Sequence, residues 1–144
     1  MNKKIKLLCL LLVPAILFLT ACVSIGHPHG RYKPLSFNHR GVGDPGGLSY
    51  EGVAELIAAV FSVPVPETLE GEPSDWLILD IDNNGVTGAT VFGTATEGHA
   101  TFENDVLTLY LENGVEVRFS FLRTTAMLEY AEGGSSITFG PNNN

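Results

Sequence analysis

Cysteine is nearly missing from this 144-residue chain, and the two present, Cys9 and Cys22, both fall within its first 22 residues. From Val23 onward there is no thiol. That part of the chain can form neither a disulfide nor a thiolate metal site. Basic residues are scarce too. Eight Lys and Arg face 16 Asp and Glu, a formal net charge of −8. Nucleic-acid binding needs a basic footprint, so this balance argues against it, and against a domain lying flat on anionic lipid. The N-terminal apolar run, Leu7 to Leu19, is broken by Pro14. It is shorter than the roughly 20 residues of a membrane-spanning helix. No Gly-x-Ser-x-Gly nucleophile elbow occurs. Strands and helices do not alternate, so a parallel sheet is not expected.

What the chain does have begins with a leader. Met1-Asn2-Lys3-Lys4-Ile5-Lys6 is basic, and Leu7 to Leu19 has the length of a signal-peptide apolar core. Leu19-Thr20-Ala21-Cys22 follows, and it resembles the lipobox of bacterial lipoproteins. The resemblance implies that the Cys22 thiol takes a diacylglyceryl group and that the leader is cut between Ala21 and Cys22. Acyl chains such as palmitate would then hold the protein on the cell membrane or the outer membrane, with its domain on the extracytoplasmic side. Each buried CH₂ contributes about 0.8 kcal/mol, and two chains anchor stably where one does not. The other reading is an ordinary secretory signal with a chance cysteine. Cleavage would remove Lys3, Lys4 and Lys6 and no acidic residue, leaving 5 − 16 = −11. The expected division is 1–21 leader, 22–29 lipidated cysteine and flexible tether, 30–140 β-domain, and 141–144 disordered tail. His27 and His29 lie in the tether, where an isolated His-x-His pair is a weak metal motif.

Alternation dominates the rest. Val106 to Arg123 reads as a hairpin: Leu107, Leu109 and Leu111 alternate with Val106, Thr108, Tyr110 and Glu112, Asn113-Gly114 turns, and Val115, Val117, Phe119 and Phe121 alternate again. Further strands are expected at Gly30–Phe37, Trp76–Asp82, Val86–Phe92, His99–Glu103, Ala126–Ala131 and Ser136–Phe139. Pro34 confines the first to an edge or bulge, and Gly88 suggests a bulge or bend in the third. Gly93 to Gly98 reads as a loop, and Glu67 to Asp75 as an acidic surface loop. Ser49 to Phe61 is the one helical pattern. Ser49 suits its cap, and Val53, Leu56, Ile57 and Val60 form an apolar face before Pro64 and Pro66. The expected fold is mainly β: an antiparallel up-and-down barrel, or a flattened one, of about eight strands with one short helix after the first.

Gly30-Arg31-Tyr32 at the first strand, then a short helix, then hairpins with an Asp105-Val106-Leu107-Thr108-Leu109 step, is similar to the lipocalin-like or calycin-like small β-domains of bacteria. The resemblance spans roughly Gly30 to Gly140. It implies a barrel and assigns no catalytic residue.

The candidate sites are few. Trp76, Tyr110, Phe119, Phe121 and Tyr130 are the bulky residues that would line an apolar ligand cavity. An eight-stranded barrel is just wide enough for side chains to fill it, so the same residues would equally make a packed core. Asp80-Ile81-Asp82-Asn83-Asn84-Gly85 matches the start of an EF-hand loop, but the position needing a bidentate carboxylate is Val91, and a tight turn needs the same residues. No metal site, cofactor or catalytic residue is expected. The expected role is a non-enzymatic envelope module binding a small apolar ligand or another protein. A structural or interaction protein with a filled barrel is the main alternative, and a hydrolase a weaker one.

Overall fold

Period-two alternation decides which side of each strand faces inward, and here it closes a full circle. The computed structural model describes residues 26–39, 48–82 and 86–142. Eight strands follow one another round a closed antiparallel barrel: β1 (Gly30–His39), β2 (Leu77–Ile81), β3 (Val86–Val91), β4 (Thr94–Glu103), β5 (Val106–Leu111), β6 (Glu116–Leu122), β7 (Met127–Glu132) and β8 (Ser135–Pro141). β1 pairs with β2 on one side and β8 on the other, which removes every free edge. Helix α1 (Tyr50–Phe61) and a 3-10 turn (Pro73–Asp75) connect β1 to β2. The expected fold class is the observed one.

Inward positions carry Tyr32, Leu77, Leu79, Ile81, Ala89, Val91, Leu107, Leu109, Leu111, Val117, Phe119, Phe121, Leu128, Ile137 and Phe139, all buried. The large residues come mostly from β1, β2 and β5 to β8. Across from them, the registers turn Thr87 and Ala89 of β3 and Thr96, Gly98 and Ala100 of β4 inward. Bulky side chains thus face small ones across a narrow lumen. Gly98 marks the tightest approach. A Cβ there would overlap the backbone carbonyl oxygen of Tyr110 on β5.

The turns hold the register. Phe92-Gly93, Asn104-Asp105 and Gly133-Gly134 each have two positive φ values and join strands as two-residue hairpins. Asn113-Gly114 does not form the expected two-residue turn. Gly114 alone has positive φ, its N–H donates to Leu111 O, and Leu111 N–H donates to Val115 O. The loop is therefore three residues long. A two-residue loop would pair Leu111 with Glu116 and put the two apolar series on opposite faces. The extra residue sets Leu109 opposite Val117 and Leu107 opposite Phe119.

Other expectations are also corrected. Residues 94–98 are strand, because Phe92, an unusual turn residue, makes the hairpin that the sequence hides. Gly88 sits in regular register, and the bulge lies between Pro34 and Ser36, where Leu35 is the extra residue. β8 runs to Pro141, and Asn142 N–H donates to Arg31 O, so the C-terminal end is paired that far.

Ser49 caps α1, its Oγ accepting from Gly52 N–H. The helix crosses the end of the barrel where β1 finishes and β2 begins. Its buried face is Val53, Ala54, Ile57, Ala58 and Phe61, with Leu56 and Val60 only half-buried. This face is rotated from the expected one. Ala54 and Ile57 are fully covered, at 0% exposure. At the other end of the barrel, Pro28 is buried and the His27 ring packs edge-on against Phe102, at 5.1 Å. We call these the helix end and the entry end.

Candidate functional site

Three of the five candidate cavity residues share the lumen and two do not. Phe119 and Phe121 on β6 and Tyr130 on β7 lie at inward positions. The Phe119 ring meets Phe139 at 5.5 Å and Tyr130 at 6.5 Å, both edge-to-face, and Phe121 meets Phe102 at 5.6 Å in the same way. Such pairs contribute about 0.5–1.5 kcal/mol beyond the area they bury. Tyr110 points outward. It pairs with Glu116 on one side and on the other stacks on His99, with ring centroids 5.0 Å apart.

Trp76 is buried, at 3% exposure, but outside the wall. It precedes β2, at the parity opposite to Leu77 and Leu79. The chain from Pro66 to Asp75 folds over it. Its Nε1–H donates to Glu70 O at 2.6 Å, and Tyr50 and Phe92 pack on its ring at 4.5 and 6.0 Å. The stretch expected as an acidic surface loop keeps its acidic side chains exposed and also covers the tryptophan, which fastens it. A shallow cleft of about 320 Å³ lies beside it.

The lumen is occupied by side chains. The strand residues above and the helix residues Val53, Ala54, Ile57 and Phe61 form one continuous apolar cluster. Phe61, Phe119, Phe139, Leu77, Leu79, Leu109, Leu128 and Ile137 are all below 2% exposure. Between filled core and hollow cup, the geometry matches the first.

The largest described cleft, about 620 Å³, is on the outer surface of β1 to β4. Gly88 makes its floor: it lies between Asp80 on β2 and Glu97 on β4 and has no side chain to fill the gap. Arg31 bridges to Asp80 with Nε–Oδ1 at 2.8 Å, and Thr90, Asp82 and Glu97 complete a polar rim. This bond and charge are what raise the Arg31 pKa. No sequence signal pointed to this groove, because it depends on which residues become neighbours across three hairpins. Beneath α1, a smaller cleft of about 490 Å³ is lined by Val60, Glu116, Arg118, Tyr130 and Glu132. There the Tyr130 hydroxyl donates to Glu132 Oε2 at 3.1 Å. Burial, then that bond and the carboxylate charge, push the Tyr130 pKa up to about 12.

All four described Lys and Arg side chains are in ion pairs: Arg31 with Asp80, Lys33 with Asp75, Arg118 with Glu116 and Arg123 with Asp105. These pairs are largely exposed and stabilise little individually. Their consequence is that the acidic excess carries the surface field. Among the described residues, no three His, Cys, Asp or Glu side chains cluster as a metal site would require, and no helix is long and apolar enough to cross a membrane. Ala21 and Cys22, the cleavage and lipidation residues, lie outside the described residues, as do Asn83 to Gly85 of the calcium-like turn. No family model matches this chain, and no curated protein or solved structure matches it either.

Proposed function

We propose that this chain is a lipid-anchored protein of a bacterial envelope, held by a diacylated Cys22, whose lipocalin-like barrel is a non-enzymatic binding module. Its partner is another envelope protein engaged on the outer surface, and no apolar ligand is carried inside. The observation behind this reading is the occupied lumen. Phe119, Phe139, Leu128 and Ile57 leave the barrel centre to no guest. Ligand-carrying sites need a concave apolar space of several hundred Å³, and the clefts of that size among the described residues lie outside the packed core. The anchor is supported by the basic start, the apolar run and Leu19-Thr20-Ala21-Cys22 together.

Mass spectrometry of the protein extracted from its own membrane tests both parts. The expected N-terminal peptide begins at a diacylated Cys22, and the intact protein carries no stoichiometric apolar molecule. A peptide retaining Ala21, or a lipid bound one-to-one within the barrel, would overturn the reading.

A further inference from the structure

We propose that the entry end of the barrel rests on the lipid surface and that the helix end is held away from it. This rests on the anchor at Cys22 put forward above.

Tether length comes first. The chain is fixed to the barrel at His27, against Phe102. Five residue steps back to Cys22 reach at most about 18 Å, at about 3.6 Å per residue. β4 has ten residues. At about 3.3 Å each and a tilt of about 40°, it puts the helix end about 25 Å further along the axis. An anchored Cys22 therefore cannot bring the helix end to the bilayer without pulling His27 and Pro28 off the barrel.

The entry end also offers a small apolar rim, although Leu35, Tyr50 and Val65 elsewhere on the surface are more exposed, at 61%, 45% and 42%. Val106 and Leu122, each 38% exposed, are diagonal neighbours on the outer face at the entry end. Met127 pairs with Leu122 beside them. The Asp105–Arg123 ion pair spans the two turns there and is internally neutral. This is a small apolar rim flanked by a matched charge pair, a surface that tolerates contact with headgroups and upper acyl chains.

Among the described residues, charge is distributed unevenly along the axis. The entry end holds Asp80, Asp82, Glu103 and Asp105 against Arg31 and Arg123, or 2 − 4 = −2. The helix end holds Glu51, Glu55, Glu67, Glu70, Glu72, Asp75, Glu112, Glu116 and Glu132 against Lys33 and Arg118, or 2 − 9 = −7. Glu97 and Glu129 on the wall supply the remaining −2. An anionic leaflet repels the helix end most and the entry end least. Tether and charge gradient thus orient the barrel alike, and the entry-end rim is compatible with that orientation. The tryptophan-fastened cover then faces outward, where a partner reaches it, while the groove, lined by Arg31, Asp80 and Asp82, lies toward the membrane side.

The protein has a built-in probe, because Trp76 is its sole tryptophan and sits at the helix end. Chain starting at Cys22 would be coupled through that thiol to a maleimide-headgroup lipid in phosphatidylcholine–phosphatidylglycerol vesicles with brominated acyl chains, which quench indole at short range. The wild-type emission is expected to stay unchanged on coupling. Leu122→Trp adds a second indole at the entry end. Interfacial apolar side chains enter about 5–10 Å below the surface, so the emission of that added indole is expected to fall about twofold. Val106→Trp serves as an independent probe of the same rim if Leu122→Trp fails to fold. Quenching of Trp76 as strong as that of the entry-end indole would overturn the orientation. So would unquenched entry-end indoles on a vesicle-bound protein. The synthetic tether separates this from the anchor itself. An unmodified Cys22 in native protein would remove the lipoprotein reading, and the quenching pattern would still report how a barrel held at Cys22 stands.

Discussion

Truncating Phe119 to alanine should strip most of the stability from this barrel. Phe119 is 1% exposed and touches Phe139 and Tyr130 edge-to-face. Phe→Ala in a packed core costs about 3–5 kcal/mol, combining lost transfer energy with the cavity left behind. Its neighbours cannot collapse inward, since they belong to hydrogen-bonded strands of a closed barrel. The upper half of that range therefore applies, about 4–5 kcal/mol. Domains of this size have about 5–15 kcal/mol in total. With a urea slope of about 2 kcal/mol per M, the unfolding midpoint should fall by about 2 M. Equilibrium urea unfolding followed by near-UV circular dichroism measures it. The cavity in Phe119→Ala, lined by Phe139, Leu128 and other apolar groups, should also stay dry and admit a small apolar probe such as benzene. A loss below about 1 kcal/mol, or benzene binding by the wild type at the same affinity, would refute a filled lumen.

Other substitutions test separate features. Gly98→Ala forces a Cβ into the Tyr110 carbonyl of β5. It should destabilise by about 1–3 kcal/mol in thermal unfolding, as overpacking does. Ser49→Ala removes the acceptor for Gly52 N–H and should cost about 1 kcal/mol, whereas Ser49→Asp should retain most of it. Tyr130 keeps its proton to about pH 12 when folded but to about pH 10 when unfolded. The unfolded state thus binds fewer protons between those values, and stability contributed by this group falls as pH rises through that window. Tyr130→Phe should flatten the stability profile there, and spectrophotometric titration should lose one late-titrating tyrosine.

The architecture was legible because inward and outward residues alternate so regularly from Leu77 to Phe139. Short turns between such strands leave antiparallel neighbours as the simplest arrangement, and eight strands close. Ser49, followed by apolar spacing and then Pro64 and Pro66, marked the helix. What escaped was set by tertiary contact. Phe92 is a poor turn residue, and it takes positive φ where it can pack on Trp76. The three-residue loop at Glu112 to Gly114 follows from the need to bring two apolar series to one face, which outweighs the Asn-Gly signal. Trp76 has strand-like neighbours, yet it is covered by a segment that reads as solvent-exposed acid. The outer groove depends on Gly88 lying between Asp80 and Glu97, residues no local pattern connects.

Diffraction from wild-type crystals under xenon pressure tests the occupied lumen most directly. Xenon enters apolar voids large enough to hold it and leaves a strong density peak. No xenon is expected among Phe119, Leu128, Ile137 and Phe139 in the wild type, with one site appearing in Phe119→Ala. A well-occupied xenon site at the centre of the wild-type barrel would contradict a protein that works by its outer surface.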